Sequence, residues 1–363
     1  MHERDTTMIE TNGAGSATRQ EILTQTLAWQ DALATVKARQ DALRRLWRER
    51  PCSEVLVTGC GSTFYLSQAV APLIQQQLGI RARAVPASEL LFFPQTVITP
   101  DSQPLLLALS RSGRTSETIR AVRAYKAHHR GPVIHIGCYP ATELVMESDL
   151  ALVIKEGQEE SVVQTRSFSS MLVAAQAVVT ALVDENQLPA LAELPAVGQQ
   201  LLADAHALIR TLGHDDSLER FYFLGSGLQY GLASEANLKM KEMSLAYSEA
   251  FHFMEFRHGP MSMVNQRTLI VGLLSEAASQ QEIQVLREMR QQGARTLVLS
   301  TRTVPADAAD YQIAFQTKLP ETQRAVLFLP VLQLLGYYRA LKNGQNPDQP
   351  HNLTAVIVLE PEK

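Results

Sequence analysis

Glu54-Val55-Leu56-Val57-Thr58-Gly59-Cys60-Gly61 decides the architecture. It opens as the short apolar run of a buried strand. Its glycines then turn the backbone tightly into a helical stretch that runs through Ser67 to Gln77. Arg220-Phe221-Tyr222-Phe223-Leu224-Gly225-Ser226-Gly227 sets in register with it and is likewise followed by a helical pattern, Ser234 to Ser244. A duplicated strand-turn-helix unit accounts for both. Outward from the first copy, Ala82 to Val85, Pro104 to Leu109, Val133 to Ile136 and Leu150 to Ile154 read as strands, with helical patterns such as Thr115 to His128 among them. Outward from the second, strands Thr268 to Leu273 and Thr296 to Ser300 flank a helix from Gln281 to Gln292. Alternation of this kind predicts an α/β fold with a doubly wound, mainly parallel sheet in each half, flanked by helices. The apolar helical stretch Met171 to Val183, with the polar and proline-containing residues to about Gln200, is expected to join the halves.

A chain of 363 residues is long enough for two such cores. Residues 1–18 are polar and read as flexible, without the apolar stretch of a secretory signal. Thr18 and Glu21 have capping-box spacing, and the apolar period of Ile22, Leu23, Leu27, Val36, Leu43 and Leu46 then predicts a helix up to Trp47. Apolar residues make up 45% and charged residues 19%, and no apolar run approaches the length of a membrane span, so a cytoplasmic protein is expected. A net charge of −4 argues against a nucleic-acid partner. Cys52, Cys60 and Cys138 are odd in number and lack metal-ligand spacing, so neither a disulfide framework nor a metal site is expected.

Chemistry concentrates in three segments. In Leu107-Ala108-Leu109-Ser110-Arg111-Ser112-Gly113-Arg114-Thr115-Ser116-Glu117-Thr118 a buried strand runs into a hydroxyl-rich loop and then a helix. The hydroxyls exceed what a helix cap needs, and with the helix-start N–H groups they suit a phosphate. Arg111 and Arg114 add charge there or point into solvent. Gly59-Cys60-Gly61-Ser62-Thr63 is not a dinucleotide fingerprint, because the third glycine is missing, and Cys60 reads as a small core residue. Glu235, Lys239 and Glu242 fall at i, i+4 and i+7, on one face of a helix; alone, they would read as a solvated ion-pair face. The loop that follows ends in Arg257-His258-Gly259-Pro260. A carboxylate and a histidine suit general acid–base work, and a loop histidine bonded to backbone fits the same residues.

Taken in order, Ser110 to Thr118, Glu235 to Glu242 and His258-Gly259-Pro260 resemble the phosphosugar family built on tandem SIS (sugar isomerase) domains. Within it, the chain is similar to the isomerase half of glucosamine-6-phosphate synthase and to stand-alone amino-sugar-phosphate deaminases and isomerases. Gln345 to Leu353 resembles that family's C-terminal tail. The resemblance implies two SIS domains, residues 19–190 with the N-terminal helix and residues 191–363 with the tail. It further implies that Ser110, Ser112, Thr115 and Thr63 hold a sugar phosphate, that Ser161 to Phe168 closes over it with Gln164 where the synthase has serine, and that Lys239 faces the sugar. Glu242 matches the base that moves a proton between C1 and C2. His258 matches a ring-opening histidine that can reach a neighbouring subunit's site, so a homodimer with shared active sites is implied.

The glutaminase domain of the synthase has no counterpart here, and the synthase's tail lysine aligns with Ala355, which puts an imine to the enzyme in doubt. The expected activity is isomerisation or deamination of an amino-sugar phosphate such as glucosamine 6-phosphate, without a cofactor. A fructosamine-phosphate deglycase and a non-catalytic sugar-phosphate sensor are the alternatives. The sensor is disfavoured because the first 50 residues lack a basic helix-turn-helix.

Overall fold

The protein is described from a computed structural model, covering residues 13–357 and 359. Helix α1 (Ser16–Glu49) precedes strand β1 (Val55–Gly59), α2 (Ser62–Leu78) and β2 (Ala82–Pro86). Short helices α3 (Ala87–Phe92) and α4 (Pro94–Val97) lead to β3 (Leu105–Leu109), α5 (Ser116–His128) and β4 (Val133–Gly137). Then come α6 (Glu143–Glu147), β5 (Leu150–Val153) and α7 (Arg166–Val183). Helix α8 (Leu194–His214) opens the second half, followed by β6 (Arg220–Gly225), α9 (Gln229–Ser244), β7 (Tyr247–Phe251) and α10 (Phe253–Phe256). The chain continues through β8 (Thr268–Leu273), α11 (Ser279–Gln291), β9 (Arg295–Ser300), β10 (Tyr311–Ala314), α12 (Glu321–Arg324) and α13 (Leu329–Lys342).

The strands form two five-stranded sheets, ordered β2-β1-β3-β4-β5 and β10-β9-β8-β6-β7, with every pairing parallel. Numbered from the first strand of each half, both have the order 2-1-3-4-5, so the duplication holds at the level of topology. Central strands β1, β3, β4 and β8 are buried along their whole length, as apolar runs between two helical layers should be. Leu56, Leu106 and Ala108 face α3 and α5; Tyr222, Ile270 and Val298 face α10 and α11. Between the sheets one continuous core joins Val55, Val57 and Leu107 to Phe221, Leu269 and Val271 through α1, α2, α7, α8, α9 and α13. Helices α2 and α9 meet where Gly231 faces Ala69: a Cβ on Gly231 would lie 2.4 Å from the Ala69 nitrogen.

Two expectations are corrected. Met171–Val183 is not a connector. It forms most of α7, is almost wholly buried, and packs on α1 and α2; its apolar surface, long enough to cross a membrane, lies in the protein interior. The connection is the short 3₁₀ stretch Glu185–Glu193, and Pro195 sits in the first turn of α8, where its missing N–H costs nothing. Second, Thr18 and Glu21 form no capping box. Helix α1 starts at Ser16, inside the stretch read as flexible, of which residues 1–12 lie outside the described residues. Its N-terminus is capped from the far end of the chain. The Asp348 carboxylate accepts from the Thr18 N–H and hydroxyl at 2.7 Å and from the Ala17 N–H at 3.2 Å, while Asn346 Oδ1 accepts from the Gly15 N–H. Glu21 turns inward instead.

Candidate active site

In a 2-1-3-4-5 sheet the crevice opens at the carboxyl ends of the first and third strands, where successive connections leave in opposite directions. A cleft of about 160 Å³ lies there in the first half. It is lined by Cys60, Gly61 and Ser62 after β1, by Arg111, Thr115 and Glu117 around the start of α5, and by Val162 to Gln164. The second half closes it with Lys239 and Glu242 from α9 and with tail residues Leu353 to Ala355 and Ile357. The cleft is therefore a seam between the halves.

Lys239 is buried, and its ammonium donates to Ser62 Oγ at 3.1 Å and to the Glu242 carboxylate, and pairs with Glu235 at 3.4 Å. One helical face thus presents an acid–base–acid row, as the spacing predicted. The face is not solvated: Glu235 and Lys239 are 1% exposed. Burial opposes the Lys239 charge, but the flanking carboxylates outweigh it and hold the ammonium above the ordinary lysine value. Burial raises the Glu235 carboxyl to about 8, offset only in part by Lys239, and neither of its oxygens has a hydrogen bond among the described residues. Glu242 keeps a partly exposed carboxylate on the cleft wall, within reach of a bound molecule and steadied by Lys239.

Around the third strand's loop, Ser110 Oγ accepts from the Gly113 N–H at 3.1 Å and Ser112 Oγ from the Arg114 N–H at 3.2 Å. Each hydroxyl that accepts in this way keeps its own proton to donate. Thr115 stands at the N-terminus of α5 with no capping bond, and the first N–H groups of that helix carry its positive dipole end. Gln164 lines the cleft with its Oε1 buried and unbonded among the described residues.

Of the residues singled out from sequence, Thr115, Gln164, Lys239 and Glu242 line the cleft, while Ser110 and Ser112, in the loop between β3 and α5, do not. Thr63 is set aside from it. Its hydroxyl donates to the Cys60 carbonyl and accepts the Cys60 N–H, both at 2.9 Å, so its proton is spent on locking the turn. The neighbouring Ser62 takes the place in the cleft. His258 is exposed, two residues beyond α10, and does not line the Glu242 cleft within one chain. Burial raises the Cys60 thiol to about 11, which leaves it a neutral thiol at neutral pH.

A second layer escaped the sequence reading. Arg111 does not face solvent; its guanidinium is buried and donates to Glu159 at 3.2 Å, to the Val162 carbonyl at 3.0 Å and to the Ala355 carbonyl at 3.2 Å. It ties the strand loop to the covering loop and to the tail. Glu21 accepts from the Glu160 and Ser161 N–H groups and from the Ser161 hydroxyl, and burial with the nearby Glu159 charge raises it to about 7. The Val162 N–H donates to the Asp348 carbonyl at 3.1 Å, and the Ser116 N–H to the Ile357 carbonyl at 3.4 Å. Nothing in the local pattern of Glu21 signals this, because its partners lie some 140 residues away.

This fold, with a cleft at the seam of a duplicated α/β unit, defines the class of protein. The chain belongs to the SIS domain family, whose model matches residues 50–181 and 217–335. Glutamine–fructose-6-phosphate aminotransferase (isomerizing) of Sulfurisphaera tokodaii is 27% identical over 84% of this chain and 50% of its own length. The chain thus spans about half the length of the curated relatives it matches. Among solved structures, a glucosamine-6-phosphate deaminase of Thermotoga maritima is 28% identical, with a TM-score of 0.71 over 91% of this chain and all of the other. A tagatose-6-phosphate ketose/aldose isomerase of Escherichia coli shares the fold, with a TM-score of 0.85 at 24% identity over 96% and 98% of the two chains.

Proposed function

We propose that the protein is a phosphosugar isomerase or deaminase that acts on an amino-sugar phosphate such as glucosamine 6-phosphate, moving a proton between C1 and C2. The observation that carries this reading is the Lys239-steadied Glu242 carboxylate, brought by the second half to a cleft whose other wall carries Ser62, Arg111 and Thr115 at the N-terminus of α5. The names of the relatives, a sugar-phosphate deaminase and an isomerizing aminotransferase among them, support the substrate class.

In the proposed mechanism Ser110, Ser112, Thr115 and the α5 N–H groups hold the phosphate, which fixes the sugar carbons over Glu242. Glu242 takes the proton from one carbon and returns it to the next; Lys239 supports the carboxylate and faces the sugar. An amino sugar isomerised this way becomes an imine, which water hydrolyses to ketose phosphate and ammonia. His258 assists ring opening from a second copy of the chain, so the working unit is a homodimer. Gln164, with its unbonded carbonyl in the cleft, favours one second reading: a fructosamine 6-phosphate, whose substituted nitrogen can meet that group.

The test incubates the protein with glucosamine 6-phosphate, galactosamine 6-phosphate or a fructosamine 6-phosphate and follows ammonia, ketose phosphate and released amine. Ammonia and ketose appearing together, with a rate lower by roughly 10²–10⁴ in Glu242→Gln, is the expected result. Silence on all three substrates would overturn the enzymatic reading; turnover of the fructosamine alone would replace it by the second.

A further inference from the structure

A second and larger cleft, of about 510 Å³, opens between the start of α1, the end of α8 and the middle of α13. It shares no lining residue with the first. Apart from Ser16, its polar lining is basic or aromatic: Arg19, Arg210, His206, His214, Tyr337 and Tyr338, without a carboxylate. Neither arginine forms an ion pair with a carboxylate among the described residues. On the tail, the Asp348 carboxylate accepts from the α1 N-terminus with both oxygens and does not line the cleft.

Tyr338 organises the wall. Its hydroxyl meets His206 Nε2 at 2.5 Å, and its ring lies 5.6 Å from the rings of both His206 and His214. Burial first, and then the charges of Arg19 and Arg210, lower the His206 pKa, so both guanidinium groups act on the same point. A chain of net charge −4 thus gathers two arginines and two histidines, with no carboxylate in the lining among the described residues, in one concave, aromatic-walled place. Guanidinium forks match phosphate oxygens two at a time, and the volume lies in the range of small-molecule sites.

We infer that this cleft is a second ligand site, separate from the catalytic cleft, for a small phosphorylated polyanion held between Arg19 and Arg210 against the Tyr338 ring. The test uses pyrophosphate as the probe, with the full chain, by titration calorimetry and by imidazole proton–nitrogen NMR spectra. Pyrophosphate is expected to move the His206 and His214 signals of the wild type. Arg210→Gln, at an exposed position, is expected to weaken this binding roughly tenfold, and adding Arg19→Gln roughly tenfold more. Thr115→Val, which alters only the first cleft, is expected to leave the histidine response intact. Histidine signals that stay in place at saturating pyrophosphate, or an affinity unchanged in Arg210→Gln, would overturn the assignment.

Discussion

Replacing Glu235 by glutamine should change how the stability of this protein depends on pH. The Glu235 carboxyl rises from an ordinary value of 4.5 to about 8 because burial penalises its charge more than Lys239 rewards it. Between those two values the folded chain holds a proton at Glu235 that the unfolded chain releases. Stability therefore falls as pH rises through this window: the group costs nothing below 4.5 and its full penalty is reached above 8. At about 1.4 kcal/mol per pH unit the window is worth roughly 5 kcal/mol, an upper figure because the neighbouring Lys239 titrates with it. Glutamine has the same shape and no proton to lose. Urea unfolding at pH 5 should find Glu235→Gln and the parent within about 1 kcal/mol of each other; at pH 8.5 the variant should be more stable by about 3–5 kcal/mol. Glu21, also raised by burial, tilts both curves alike and drops out of the difference. Parallel stability curves across the range would refute the argument, since they would mean that Glu235 is ionised or solvated in the folded chain.

Three further outcomes follow from the geometry. Gly231→Ala puts a methyl group 2.4 Å from the Ala69 nitrogen, and backbone cannot step aside as a side chain can, so a net loss of about 2 kcal/mol is expected in urea unfolding despite the better helix former; an unchanged midpoint would refute the close packing. Arg111→Met leaves Glu159 buried without its cation and releases four carbonyls, those of Ser161, Val162, Val163 and Ala355; it should cost about 3 kcal/mol and speed amide exchange at residues 353–357, whereas unchanged exchange there would show that the tail is held by other contacts. Glu242→Gln and His258→Asn should each be nearly inactive on the amino-sugar phosphate. If the histidine serves the neighbouring site, each mixed dimer of the two should regain one of its two sites, about a quarter of normal activity in a random mixture, and no recovery on mixing would place His258 outside that role.

The architecture is readable because its central strands are continuous apolar runs, with glycine closing β1 and its counterpart β6, and the helix face at Glu235, Lys239 and Glu242 follows from spacing alone. What escaped has a common cause. Strands β7 and β10 are edge strands with mixed exposure, so neither carries an unbroken apolar run. Helix α8 was hidden by Pro195 and Gly198, which read as linker. Proline fits a first turn, and Gly198 lies where a Cβ would meet the Trp29 ring at 2.3 Å. Arg111, Glu21 and Asp348 were misread or passed over because their partners lie in distant parts of the chain. Spacing on one element can place residues on a face, but whether that face meets water or a buried acid depends on what packs against it.

The contact between α2 and α9 bears on how such chains can be recombined. Gly231 admits α2 at backbone distance, and within the same pair of helices Lys239 reaches across to Ser62. The natural crossover point, the short 3₁₀ connection at Glu185–Glu193, separates exactly these partners. A chimera joined there from two relatives would keep both sheets intact and still lose its working cleft, unless the two parents happen to agree along one pair of helices.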